Sequence, residues 1–376
     1  MKSSWLDVSQ RMTRGAIVGA LGIAFVAPGA LAQNTPAAPK TNKDGLALNP
    51  SQVRGDEITP AQEAAVAKGL AWLASAQQRD GAYGAGGAGS KHAGITALAG
   101  LAFMQAGNLP GRGKYGENVQ KCLDFVLNSC QESGLISSDQ SHGPMYGHGF
   151  ATLFLGEVYG MTGDENVKEK LQRAVRLIQK TQNKEGGWRY QPVPYDADIS
   201  VTICQIMGLR AARDAGIKVE KETIDNAIKY ILACRNPDGG YSYMANSGGG
   251  GGGSGFARTA AGVASLYYAG VFEGNEVTSG LNYIKQFTPG KGASDAGQEG
   301  HYFYGHYYAV QAMFLAGGDY WAQWYPAIRD QLIARQARNG EWSGDFSSDY
   351  ATSMALIILQ MPNRYLPVYT GKGPGS

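Results

Sequence analysis

The stretch Gln182-Asn-Lys-Glu-Gly186-Gly-Trp188 decides the fold, because it closes one amphipathic segment, opens the next unit, and recurs along the chain. The other copies are Gln77-x3-Gly81-x-Tyr83, Cys130-x3-Gly134-x-Ile136, Arg235-x3-Gly239-x-Tyr241, Thr288-x3-Gly292-x-Ser294 and Gln336-x3-Gly340-x-Trp342. Their lead positions are 53, 52, 53, 53 and 48 residues apart. A period near 50 residues with a helix on each side of the motif is the signature of a repeat architecture. The glycine is expected to end the preceding helix in a left-handed conformation. The aromatic residue two positions later is expected to pack back on that helix.

Working outward, each motif is preceded by a segment with apolar residues at helical spacing: Ala61–Ala76, Val119–Cys130, Val167–Thr181, Thr223–Cys234, Val277–Phe287 and Trp321–Arg335. Each is followed, after a loop of variable length, by a segment apolar nearly all round: Thr96–Phe103, Thr152–Tyr159, Thr202–Leu209, Thr259–Leu266, Tyr308–Leu315 and Thr352–Leu359. A helix apolar on every face is a buried helix. Six pairs of this kind bury their inner members by closing into a ring, so the expected fold is an all-α (α/α)6 toroid over residues 60–370. An open solenoid would leave a polar face on its inner helices, and these have none.

The chain carries 33 Lys+Arg against 31 Asp+Glu, with no basic cluster, which argues against a nucleic-acid partner. Residues 1–32 read as a secretory signal: Lys2, Arg11 and Arg14 precede the apolar run Ala16–Ala27, and Ala30 and Ala32 suit cleavage before Gln33. Residues 33–59 read as a polar linker, and the mature protein is expected in the periplasm or outside the cell. A retained membrane anchor is the alternative. Export permits disulfides, yet Cys122 and Cys130 lie on one expected helix, too far apart to bridge. All four cysteines read as small buried hydrophobes.

The repeat resembles that of a known family. Lys68-Gly69-x2-Trp72-Leu73-x3-Gln77-x3-Gly81-x-Tyr83 is similar to the QW motif of the squalene cyclase and protein prenyltransferase β-subunit superfamily, and the copies at Gln182 and Gln336 match its core. The resemblance implies the toroid and an isoprenoid or other apolar ligand in its centre, with peripheral membrane contact. It also implies an acid motif, Asp-x-Asp-Asp-Thr, whose middle carboxyl protonates an alkene. Tyr195-Asp196-Ala197-Asp198-Ile199-Ser200 matches its first two acids, but Ile199 stands where the third belongs. Asp198 is then the general acid of a terpene cyclase/mutase-like enzyme and Asp196 its partner; the bland reading is a helix cap. The prenyltransferase zinc site would need Asp238, a cysteine where Gly240 stands, and His306. With the thiolate missing, no cofactor is expected.

Aligning the inner segments on Thr96, Thr152, Thr202, Thr259, Tyr308 and Thr352 puts His92, His148 and Asp198 at one level, with Arg258 and His306 within a turn of it. These polar side chains gather at one rim, where they are costly unless satisfied or used. Two histidines and a carboxylate are also a weak candidate metal set. Trp188, Tyr190, Tyr195, Tyr241, Tyr243, Tyr304 and Tyr307 crowd the same loops; they suit a carbocation through their π faces, or a sugar ring by stacking. Three readings follow: an isoprenoid-binding or isoprenoid-cyclising protein lined by His92, His148, Arg258, Tyr304, His306, Tyr307 and Trp188; a polysaccharide hydrolase or lyase using Asp196, Asp198 and Asp349; and a binding scaffold without chemistry.

Overall fold

The structure, a computed structural model, describes residues 57–86, 90–138, 143–245, 252–291, 301–344 and 346–370. The expected signal (1–32), most of the linker, and Gly292 and Ser294 of the fifth motif lie outside them. Among the described residues the chain is helical and has no strand. The outer helices are α1 (Pro60–Ala76), α3 (Gly116–Asn128), α5 (Glu165–Thr181), α7 (Lys221–Ala233), α9 (Asn275–Lys285) and α11 (Gly318–Arg335). The inner helices are α2 (Ala93–Gln105), α4 (Met145–Thr162), α6 (Ile199–Asp214), α8 (Phe256–Ala269), α10 (Tyr302–Ala316) and α12 (Ser348–Leu359), and a final turn, α13, spans Pro367–Thr370. No described helix is long and apolar enough to cross a membrane.

The amphipathic pattern decides which helix is outside. In α5 the stripe Val167, Leu171, Ala174, Val175 and Ile178 is buried while the rest of the helix faces water. In α2 every residue from Ala93 to Gln105 is buried. Each inner helix packs against the next in the order α2, α4, α6, α8, α10, α12, and α12 packs against α2. The ring is closed. Outer helices pack chiefly on the inner helix of the preceding repeat, α3 on α2, α5 on α4, α9 on α8 and α11 on α10, and α1 likewise packs on α12 and touches α11, joining the chain's first repeat to its last.

The recurring motif is the clip that links one repeat to the next. Gln182 Nε2 donates to Gly186 O (2.8 Å) in its own loop and to Thr223 O (2.9 Å) on the following outer helix. Gln77 does the same to Gly81 O and Asn118 O. Gln336 donates to Gly340 O and to Ala65 O on α1 (2.9 Å each), so the last motif clips onto the first helix. Such bonds contribute about 1 kcal/mol each. One expectation is corrected here. The glycine does not end the helix: α5 stops at Gln182, whose backbone is extended (ψ 130°). Gly186 lies in the turn beyond, with φ 100°, and a Cβ there would come within 2.1 Å of the Asn226 carbonyl oxygen. Left-handed backbone and near contact with the next helix together require glycine.

The aromatic position behaves as expected. Tyr83 OH donates to Leu73 O, Trp188 Nε1 to Ile178 O and Trp342 Nε1 to Leu332 O, each on the helix just ended. Their backbone N–H groups donate to the first-turn threonines of the inner helices, Thr96, Thr202 and Thr352, and Tyr241 N–H does so to Thr259. Cys130 falls two residues beyond the end of α3, so it does not share a helix with Cys122 as expected. All four cysteines are free; three are buried and Cys130 is partly so.

Candidate functional site

The inner helices start at one rim, and the richest polar cluster there surrounds the N-terminus of α6. Asp198 N–H donates to Trp188 O (3.0 Å), which holds the aspartate against the motif. Its Oδ1 accepts from Ser200 N (2.9 Å), Val201 N (2.9 Å) and Ser200 Oγ (2.6 Å). Asp198 is therefore the N-cap of α6, where the helix dipole also favours a carboxylate. The side chain is nevertheless fully buried, with Oδ2 3.7 Å from Arg189 Nε. Burial pushes its carboxyl above the usual range, opposed by the Ser200 and Val201 hydrogen bonds, the Tyr243 hydroxyl and the Arg189 charge.

Arg189 pairs mainly with Asp196 through NH1. Its guanidinium lies 5.1 Å from the Tyr190 ring centre and 6.0 Å from that of Tyr243, within range of cation–π attraction. The hydroxyls of Tyr190 and Tyr243 are hydrogen-bonded to each other. Tyr243 O accepts from Ile199 N (2.9 Å), which pins the loop of the fourth repeat to the α6 N-terminus. Tyr146, on the first turn of α4, shares a 2.7 Å hydrogen bond with Ser200 Oγ. Asp196, Arg189, Tyr146, Tyr190, Tyr243 and Tyr304 are only partly buried, whereas Tyr195 on the same loop is 84% exposed.

Below this rim the lumen is crossed by hydrogen bonds. Tyr304 OH, on α10, donates to Ser200 O on α6 (3.1 Å). The Tyr308 hydroxyl and Cys204 Sγ lie 3.3 Å apart across the same gap. Tyr307 is fully buried beneath them, edge-on to Phe150, and its hydroxyl meets that of Tyr369 at 3.0 Å. Burial pushes the hydroxyls of Tyr304 and Tyr308 well above the usual phenol value, so they stay protonated donors.

The remaining sequence candidates are dispersed. His92 caps α2, its Nδ1 accepting from Gly94 N (3.1 Å) and Ile95 N (3.3 Å). His148 lies inside α4, because that helix begins three residues earlier, and its Nδ1 accepts from Ile136 N (3.1 Å). It thus does for the second motif what threonine does for the first, third, fourth and sixth. Burial lowers it to about 4. His306 is turned away from the rim, among the rings of Phe256, Tyr302 and Trp324 at 5.0, 4.5 and 5.7 Å, and burial lowers it to about 3. Trp188 is buried against α5, not in a cavity. Arg258 folds beside Gly255, its charge felt by Tyr283 on α9. Asp349 ties the ring's seam by accepting from Gly84 N (2.8 Å).

The candidate metal set does not assemble. His92, His148 and Asp198 are each committed to backbone N–H groups, and no group of three His, Cys, Asp or Glu suited to a metal occurs among the described residues. The zinc site that the resemblance raises does not fit either. Asp238 accepts from Gly240 N in its own turn and from Ser254 Oγ ahead of α8, and His306 is enclosed by aromatic rings. Arg189 and Tyr146 belong to the site without having been among the sequence candidates. Arg189 directly follows a motif tryptophan and Tyr146 precedes His148 by two, but neither position is periodic.

Fold and repeats together define an α/α toroid. Two family models match the chain: the prenyltransferase alpha-alpha toroid domain over residues 55–166 and the squalene-hopene cyclase C-terminal domain over residues 151–313. The chain belongs to the terpenoid cyclase and protein prenyltransferase superfamily. No curated protein matches the sequence. Among solved structures, the GH76A α-1,6-mannanase from Salegentibacter sp. HEL1_6 is 10% identical and aligns over 80% of this chain and 98% of its own, with a TM-score of 0.61. The cellobiose 2-epimerase from Spirochaeta thermophila DSM 6192 is 13% identical over 81% and 98%, with a TM-score of 0.60. The type II terpene cyclase MstE from Scytonema is 13% identical over 81% and 99%, with a TM-score of 0.55. At these identities the likeness is one of fold, which hosts unrelated chemistries.

Proposed function

We propose that this is an exported toroid protein that binds a carbohydrate at the N-terminal mouth of its inner ring. The observation that carries the reading is the partly buried cluster of Arg189, Asp196, Tyr146, Tyr190, Tyr243 and Tyr304 around the α6 N-terminus, standing over a lumen crossed by hydrogen bonds. Sugars are recognised by stacking on aromatic faces and by hydroxyl, carboxylate and guanidinium groups that match their own hydroxyls. An extended isoprenoid needs a long apolar cavity. The groups that cross the lumen here occupy that path.

Within this reading Asp198 is the residue able to hand over a proton. Burial raises its carboxyl, and Oδ2 is the oxygen not engaged in capping. Asp196, partly buried and ion-paired, orients Arg189. The test is affinity electrophoresis of the intact protein through gels containing mannan, glucan, xylan or galactan. Retardation by one polymer, lost in Tyr195→Ala and Arg189→Met, supports the reading. Free migration in every gel, alongside retention of an isoprenoid lipid, would overturn it. Reducing-end release from the retarding polymer, abolished by Asp198→Asn, would mark the site as hydrolytic.

A further inference from the structure

The opposite end of the lumen carries a second convergence of buried polar groups that the first site does not use. Glu157 on α4, Arg210 on α6 and Gln311 on α10 are all buried. Arg210 Nε pairs with Asp214 at 2.6 Å, both side chains under 10% exposed. Tyr268 OH on α8 donates to Gln311 Oε1 (2.5 Å). Of these helices, α4, α6 and α10 meet one further element, the C-terminal segment. After the turn Met361–Asn363 the chain passes through Arg364, the one described non-glycine residue with positive φ (58°), and through Tyr365, which is 56% exposed. It then runs inward. Leu366, Val368 and Tyr369 are buried, and α13 packs against α6 and α10.

The contacts this segment makes are those of a bound peptide. Val368 N–H donates to Glu157 Oε1 (3.2 Å), and Tyr369 OH meets Tyr307 OH (3.0 Å) at the floor. Glu157 Oε2 has no hydrogen-bond partner among the described residues, although the side chain is buried. An unsatisfied carboxyl oxygen of this kind is costly to keep and marks a place built to receive a donor. The segment belongs to no repeat, and four residues of helix do not hold themselves together. A surface depression of about 390 Å³, lined by Tyr159, Met161, Asp214 and Ala215, lies on the same side. Through Asp214 it adjoins the Arg210 pair.

We propose that this end of the lumen is a peptide-binding site, selective for a Leu-Pro-Val-Tyr segment in a single helical turn, and that the protein's own residues 366–369 occupy it as an exchangeable ligand. The carboxyl of Glu157 reads the backbone N–H before the tyrosine, and Tyr307 reads the tyrosine hydroxyl. Arg364 and Tyr365 form the hinge on which the segment leaves. The proposal is independent of what binds at the other mouth.

The test uses the full chain and a fluorescein-labelled peptide, Leu-Pro-Val-Tyr-Thr-Gly, followed by fluorescence anisotropy. In the unchanged protein the tail competes, so binding is weak. Tyr369→Ala weakens the tail and leaves the receiving residues intact, so the variant should bind the peptide about tenfold more tightly, in line with removal of a competing bound state. A folded Tyr369→Ala protein with no gain in binding would overturn the proposal. Hydrogen exchange of the unchanged protein supplies a readout that needs no variant. The Val368 and Tyr369 amides should exchange about a hundredfold faster than those in the middle of α6, by local opening. Equal protection in the two places would show that the tail leaves only on global unfolding, and would also overturn it.

Discussion

Replacing Gly340 with alanine tests whether the ring is closed. Gly340 has φ 106°, and a Cβ there would lie 2.6 Å from the Lys68 carbonyl oxygen on α1. Holding alanine in the left-handed region costs about 1–2 kcal/mol, and moving a packed backbone aside adds roughly 1–3 kcal/mol. Gly163→Ala separates the two effects: Gly163 has φ 69° with nothing within 4 Å of its added Cβ, so it bears the conformational cost alone. Gly186→Ala is the counterpart within the ring, with φ 100° and a Cβ 2.1 Å from the Asn226 carbonyl oxygen. Urea unfolding of the three variants, compared at unchanged m-value, gives their stabilities. Gly340→Ala should resemble Gly186→Ala and exceed Gly163→Ala by about 1 kcal/mol or more. Were Gly340→Ala no worse than Gly163→Ala, the first and last repeats would not be in contact and the closed ring would be wrong.

Other outcomes follow from the buried groups. Glu157 is raised to about 8 by burial, with the Asp214 charge adding to the effect and the Val368 N–H opposing it; Arg210, Tyr268, Tyr307 and Tyr369 lie around it. Between the ordinary carboxyl value and about 8 the folded chain holds a proton that the unfolded chain has lost, so stability should fall as pH rises through that window. Glu157→Gln should flatten this slope in melts taken across it. Asp198→Ala should lose the α6 cap and about 1–2 kcal/mol, whereas Asp198→Asn should keep most of that stability while removing the proton, as thermal unfolding will show. His148 and His306, lowered to about 4 and about 3, should show no imidazole titration by NMR between pH 5.5 and 8.

The fold was legible because the clip that builds it is local and repeated. Gln182, Gly186 and Trp188 sit within seven residues; the first two meet Thr223 and Asn226 on the next outer helix, and Trp188 packs back on Ile178 of the helix just ended. The site was legible only where it used that register. Asp198 was found as the residue ahead of α6, and its capping role followed from its type. Its burial and its neighbour Arg189 did not, because they depend on the fold of the loop between. The histidines illustrate the opposite failure. His92 and His148 share an alignment level with Asp198, yet α4 begins earlier than α2 and α6, so one histidine caps a helix and the other is enclosed in one. The tyrosines that cross the lumen, and the C-terminal segment that meets Glu157, link residues 62 to 211 positions apart and leave no periodic trace.

The most direct test of the account offers the intact protein an extract holding both envelope lipids and soluble oligosaccharides, and identifies by mass spectrometry what it retains. A glycan should be retained and should disappear with Arg189→Met and with Tyr195→Ala. A retained isoprenoid that persists through both substitutions would contradict it.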